Sequence, residues 1–81
     1  MPFDKVECGQ RVMEARTLLG LSQQELGYSV GIGYRVMGDI EAGRRVPPLI
    51  VAIKLADILR VDLEWLCCQQ DMMRRATDIE W

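Results

Sequence analysis

Apolar residues recur along this chain at three- and four-residue steps, the spacing of one helix face, and no strand-length stretch alternates apolar with polar. Asp4 followed by Glu7 resembles a capping box, and Val12, Ala15, Leu18 and Leu19 continue the helical spacing. This predicts a helix over about residues 5–19, stopped by Gly20. Ser22 with Glu25 three residues later is a second capping box. It opens a helix from Gln23 to about Val30, with Leu26 and Val30 inward. Gly31 falls where a tight turn needs positive φ. A short third helix over about 34–41 places Met37 and Ile40 inward and ends before Gly43. Pro47 and Pro48 cannot continue a helix but can begin one. Leu49, Ala52, Ile53, Ala56, Ile58 and Leu59 then mark a fourth helix, and Asp62 caps a fifth carrying Leu63, Trp65 and Leu66. Five short helices with brief connections describe a compact all-α domain over residues 1–66. The tail, 67–81, keeps Met72, Met73, Ala76, Ile79 and Trp81, too apolar for a freely solvated end. A helical or extended tail that covers a second subunit is expected.

Length supports that expectation, because 81 residues bury only a marginal core when folded alone. The apolar residues are scattered rather than gathered into a run of about 20, so no membrane span is expected. The N-terminus lacks a basic stretch followed by an apolar one, which argues against a signal peptide and for a cytoplasmic site. Cys8, Cys67 and Cys68 have no CxxC spacing and histidine is absent, so no metal site is expected. The cysteines read as reduced, small hydrophobes, with a redox role as the alternative. Catalysis is not expected: there is no histidine, no paired-carboxylate cleft and no glycine-rich phosphate cradle after a strand, and nothing calls for a cofactor.

The formal charge of −2 argues against easy assignment to nucleic acid, since phosphate binding normally leaves a basic footprint. Its distribution softens the objection. Residues 22–45 balance Glu25, Asp39 and Glu41 with Arg35, Arg44 and Arg45, and the excess acid lies elsewhere.

Within that segment, residues 22 to about 41 fit a helix-turn-helix. Two helices crossing at about 90 to 120° need a small residue at the crossing and a glycine-type turn between them. Gly27 and Gly31 supply these, and Leu26, Val30, Ile32, Met37 and Ile40 form the apolar wedge. The pattern R-x(4)-LSQ-x-x-L, then glycine, then I-E-x-G-x-R-x-P and L-x-x-A-x-x-L-x-V appears nearly whole within residues 9–66, Ile53 standing at the first leucine of the last motif. In it the chain resembles the lambda-repressor/Cro-like (XRE) helix-turn-helix family. The resemblance implies a five-helix lambda-repressor-like DNA-binding domain. It also implies a sequence-specific transcriptional regulator, in particular a repressor that meets a palindromic operator as a homodimer, with double-stranded DNA as its partner. The alternative is an antitoxin or adaptor that binds another protein with the same scaffold. Origin, operator sequence and the direction of regulation are not legible here.

By the resemblance, Tyr34, Arg35, Gly38 and Asp39 stand where family members meet base edges. A guanidinium pairs bidentately with guanine O6 and N7, which makes Arg35 the strongest candidate. Tyr34 suits a thymine methyl or a phosphate. Asp39 either accepts from a cytosine amino group, repels wrong sequences by its uncompensated charge, or forms an ion pair with Arg35 one turn back. Gly38 either keeps the groove face clear or is a tolerated weakness. Gly33 is an acceptable N-cap that lets backbone approach phosphate. Phosphate contacts are expected from Gln23, Gly33, Arg44, Arg45 and Arg11, the arginine pair having a solvated loop as its alternative. Family resemblance also has Gln23 brace Tyr34, and pairs Arg16 with Glu41 as a structural ion pair between helices one and three. Dimerisation is expected from Trp65, Leu66, Met72, Met73, Ile79 and Trp81.

Overall fold

The protein's structure, a computed structural model, describes residues 4–66. In chain order α1 is Lys5–Leu18, α2 Gln23–Val30, α3 Tyr34–Glu41, α4 Leu49–Leu59 and α5 Leu63–Leu66. Met72, Met73, Ile79, Trp81, Cys67 and Cys68 lie outside the described residues.

The first two helices are opened by capping side chains. The Asp4 carboxylate accepts from the N–H groups of Val6 and Glu7 at 3.1 and 3.2 Å, satisfying two donors that helix geometry leaves unpaired. At α2 the box is reciprocal: Ser22 Oγ accepts from the Glu25 N–H at 2.9 Å and Glu25 Oε1 from the Ser22 N–H at 2.8 Å. The ends share a device. After α1, α2, α3 and α4, the chain turns through a left-handed residue, at Gly20, Gly31, Gly43 and Arg60, and two backward N–H bonds close a Schellman motif. At Gly43 the requirement is doubly enforced. Its φ of +82° suits glycine, and a Cβ there would sit 3.0 Å from Val6 Cα and Cγ2.

One core joins all five helices: Cys8, Val12 and Ala15 from α1, Leu26 and Val30 from α2, Met37 and Ile40 from α3, Val51, Leu55, Ala56 and Leu59 from α4, and Leu66 from α5. Two faces differ from expectation. On α1 the buried row starts at Cys8, while Leu18 and Leu19 are exposed because the helix stops and the chain turns away at Gly20. On α4 the buried row is Val51, Ala52, Leu55, Ala56 and Leu59. Leu49, Ile50 and Ile53 are 71%, 61% and 45% exposed. That helix is apolar on nearly every side, so periodicity alone could not choose its inner face.

α1 crosses the C-terminal end of α3 backbone to backbone. A Cβ on Gly9 would lie 2.3 Å from the Ile40 carbonyl oxygen and 2.6 Å from that of Glu41. This contact sets the height of α3 on the core. No helix among the described residues is long and apolar enough to cross a membrane.

Candidate nucleic-acid interface

α2 and α3 meet where Gly27 lies. A Cβ there would be 2.8 Å from the Ile32 carbonyl oxygen, and the Ile32 N–H donates back to the Gly27 carbonyl at 2.8 Å. Glycine at this crossing lets the two helices close around a short turn. Met37, Ile40 and Glu41 then face the core, and Tyr34, Arg35, Gly38 and Asp39 lie on the other side, at i, i+1, i+4 and i+5. Tyr34 and Arg35 are exposed, Gly38 and Asp39 partly so. Gly33 caps α3 without a side-chain hydrogen bond, and the space where its Cβ would be is open. The first-turn N–H groups of α3 therefore have no side-chain acceptor, which leaves the positive end of the helix dipole uncapped.

What fixes α3 in place is a buried polar network under its C-terminal end. Arg16 Nε donates to Glu41 Oε2 at 2.6 Å and Arg16 Nη2 to Glu41 Oε1 at 3.0 Å, a two-pronged pairing across α1 and α3. Arg16 Nη1 donates to the Leu21 carbonyl at 2.8 Å, and Gln23 Nε2 to Glu41 Oε1 at 3.0 Å. The Glu41 side chain is 3% exposed, so these donors replace the water it has lost. The Glu41 hydrogen bonds raise the Arg16 pKa above its ordinary value against the opposing effect of burial. The guanidinium stays charged wherever the protein is folded. Glu41 is thus an anchor and not part of the exposed face.

Three expectations change here. Gln23 reaches Glu41, so its brace runs to the last turn of α3 rather than to Tyr34. Asp39 does not pair with Arg35. Its Oδ1 accepts from Arg44 Nε at 3.1 Å and Nη2 at 2.9 Å, because the Schellman turn at Gly43 folds Arg44 back over the helix end. Arg11, expected at phosphate, is engaged inside the domain. Its Nη2 donates to Glu7 Oε2 at 3.0 Å, its Nη1 to the Trp65 carbonyl, and its guanidinium stands 5.0 Å over the Trp65 ring. It clasps α5 to α1.

Helix five gives little free surface for a second subunit. Leu66 is fully buried in the core and Trp65 is partly buried beneath Arg11. Leu66, expected at a dimer contact, is thus a core residue among the described residues. Exposed aliphatic side chains gather at Val46, Leu49, Ile50 and Ile53, apart from Val6, Leu18 and Leu19 on and after α1. Two features escaped the sequence reading. Gly9 carried a signal, a glycine inside a helix with no capping role; the Arg11–Trp65 clasp carried none. Cys8 is buried as a small core residue.

The profile of the helix-turn-helix family HTH_3 matches residues 12–66. The chain belongs to this family. Within it, the relatives are of the XRE, lambda-repressor-like kind. The chain is 36% identical over 59 residues to the HTH-type transcriptional regulator YgzD of Bacillus subtilis, covering 69% of this chain and 89% of that one. The crystal structure of the restriction-modification controller protein C.AhdI from Aeromonas hydrophila superposes with a TM-score of 0.71 at 38% identity, covering 78% and 91% of the two chains. SinR, a master regulator of biofilm formation solved in complex with DNA, gives 0.67 at 27% identity over 73% and 95%. This helix-turn-helix protein is a transcriptional regulator with a DNA-binding fold, in a family of regulators and not of enzymes.

Proposed function

We propose that the protein is a sequence-specific DNA-binding repressor that acts in the cytoplasm as a homodimer on a palindromic operator. The observation that carries this reading is the division of α3. One side is locked by Met37, Ile40 and Glu41, and the other presents Tyr34, Arg35, Gly38 and Asp39 on a rod narrow enough for the major groove. Arg35 makes no ion pair among the described residues, so its fork is free to read guanine. Tyr34 takes a thymine methyl or the adjacent phosphate. The N-terminal ends of α2 and α3, at Gln23 and Gly33, and the exposed Arg44 and Arg45 grip the backbone on either side. The SinR structure, which contains DNA, supports the same use of the fold.

A second copy of the chain covers Val46, Leu49, Ile50 and Ile53. This strip carries no charge and begins one residue past the twin arginines. An uncharged aliphatic surface is complementary to itself across a two-fold axis. Pairing doubles a phosphate-contact set that is thin in one subunit, which suits a chain with little basic surplus.

Electrophoretic mobility shift of random genomic fragments tests the reading. Sequence-selective retardation that Arg35→Ala weakens by about 5- to 150-fold, the loss of one bidentate base contact, is the expected result. Absence of selective retardation at any salt concentration would contradict it and favour a protein-binding role.

A further inference from the structure

The proposed DNA face contains an acid, and the structure gives it a companion. Asp39 and Arg44 occupy the two positions that a Schellman motif brings together, three residues before the helix cap and two after it, where an apolar contact commonly forms. Here the Arg44 N–H donates to the Asp39 carbonyl at 2.9 Å and the side chains pair through Nε and Nη2 onto the single oxygen Oδ1. The second oxygen, Oδ2, has Arg45 at 4.0 Å, beyond hydrogen-bond reach. Arg44 has used two of its five N–H donors.

Stability does not account for this arrangement. Arg44 and Asp39 side chains are 69% and 35% exposed, and exposed pairs contribute little. A carboxylate in the last turn of a helix also opposes the helix dipole. An acid that costs stability and faces phosphate would hinder binding unless its charge were cancelled where it enters the groove.

We propose that Asp39 and Arg44 act as one unit, a reading that rests on the DNA-binding function above. Arg44 is a positioning residue: it neutralises Asp39 and holds its carboxylate by Oδ1, leaving Oδ2 to accept from the exocyclic amino group of a cytosine. The carboxylate in turn fixes the guanidinium, whose three remaining N–H groups serve a neighbouring phosphate. Base reading at this position and backbone grip are thereby coupled.

The test is a double-mutant cycle on the full chain with the DNA site selected by the wild type. Arg44→Gln is expected to lower affinity about tenfold or more and to alter base preference at the position Asp39 reads, because an uncompensated acid is left in the groove. Asp39→Asn placed in that background is expected to restore at least about threefold, the size of coupling seen between contacting residues. An arginine that only held phosphate would weaken all sequences equally, and Asp39→Asn would change affinity by the same factor in both backgrounds. That additivity overturns the inference. Arg44→Lys, which keeps charge without the fork, serves as a second variant: it is expected to retain affinity within a few-fold but to relax the cytosine preference, and unaltered preference counts against the proposal. Thermal melts confirm that each variant folds. If the wild type selects no sequence, the DNA-binding reading falls and this falls with it; if it selects and the effects are independent, only this inference falls.

Discussion

Replacing Gly38 with alanine separates what the glycine does for the fold from what it does for binding. Gly38 lies inside α3, an eight-residue helix, where glycine costs about 1 kcal/mol relative to alanine. A glycine kept for packing would show a collision on substitution. Here a Cβ meets only the side-chain amide of Gln23, at 3.6 and 3.9 Å, ordinary van der Waals separations. Nothing must move, so the propensity gain is realised almost in full. Gly38→Ala should raise stability by about 0.5 to 1 kcal/mol, or about 2 to 8 °C in the midpoint of a thermal melt for a domain of this size. Chemical denaturation with an unchanged m-value would show that the surface exposed on unfolding is the same, so that the higher midpoint is a gain in stability. Affinity for the selected operator should move the other way, because the new methyl stands on the side of α3 between Tyr34 and Arg35, next to the Gln23 side chain. A variant that melts at or below the wild type refutes the steric argument. One that is more stable and binds DNA equally well refutes the groove role and leaves the glycine as a tolerated weakness.

Gly9→Ala is the same substitution with the opposite sign: its Cβ would lie 2.3 Å from a backbone oxygen of α3, and α1 must shift at a cost of about 3 kcal/mol, seen as a lowered or lost melting transition. Arg16→Ala leaves the buried Glu41 carboxylate with Gln23 as its remaining side-chain donor and should cost about 3 to 5 kcal/mol; loss under about 1 kcal/mol in urea titration would show that the pair does not anchor α3. Arg11→Gln should lower stability without changing the salt dependence of DNA affinity, whereas Arg45→Gln should reduce that slope by about 1; equal slopes for both would contradict the assignment of Arg11 to the clasp. Ile50→Glu should turn a dimer into a monomer in light scattering while leaving the melt nearly unchanged, and a dimer that persists would exclude the α4 strip as its contact.

Much of the fold was legible in the sequence because its signals are local. Ser22 with Glu25, and the glycines at 20, 31 and 43, act within a turn of the chain, so the ends of α2 and α3 and the turns that follow could be read without knowing what packs where. The pairing of Arg16 with Glu41, implied by the family resemblance, likewise lies where expected in the structure. Legibility failed where two elements compete for one side chain. Arg11 sits on α1 with nothing in its neighbourhood to announce that Trp65, fifty-four residues on, would take it. Asp39 has arginines on both sides, and the choice of Arg44 over Arg35 depends on the backbone turn at Gly43 and not on helical spacing. In α4 an excess of aliphatic residues concealed the inner face: Leu55, fully buried, and Ile53, half exposed, look alike in a periodic reading. That same excess leaves the strip from Val46 to Ile53 to which the second copy is assigned.

The central claim is that the outward side of α3 reads bases in a duplex, and repeated selection of bound fragments from a random DNA pool tests it most directly. Wild-type protein should enrich a two-fold symmetric site whose half-sites are centred about 34 to 36 Å apart along the helix axis, with a guanine in each half whose preference Arg35→Ala abolishes. A pool that remains unenriched, or one that enriches equally for the wild type and for a variant with both Tyr34→Ala and Arg35→Ala, would contradict it.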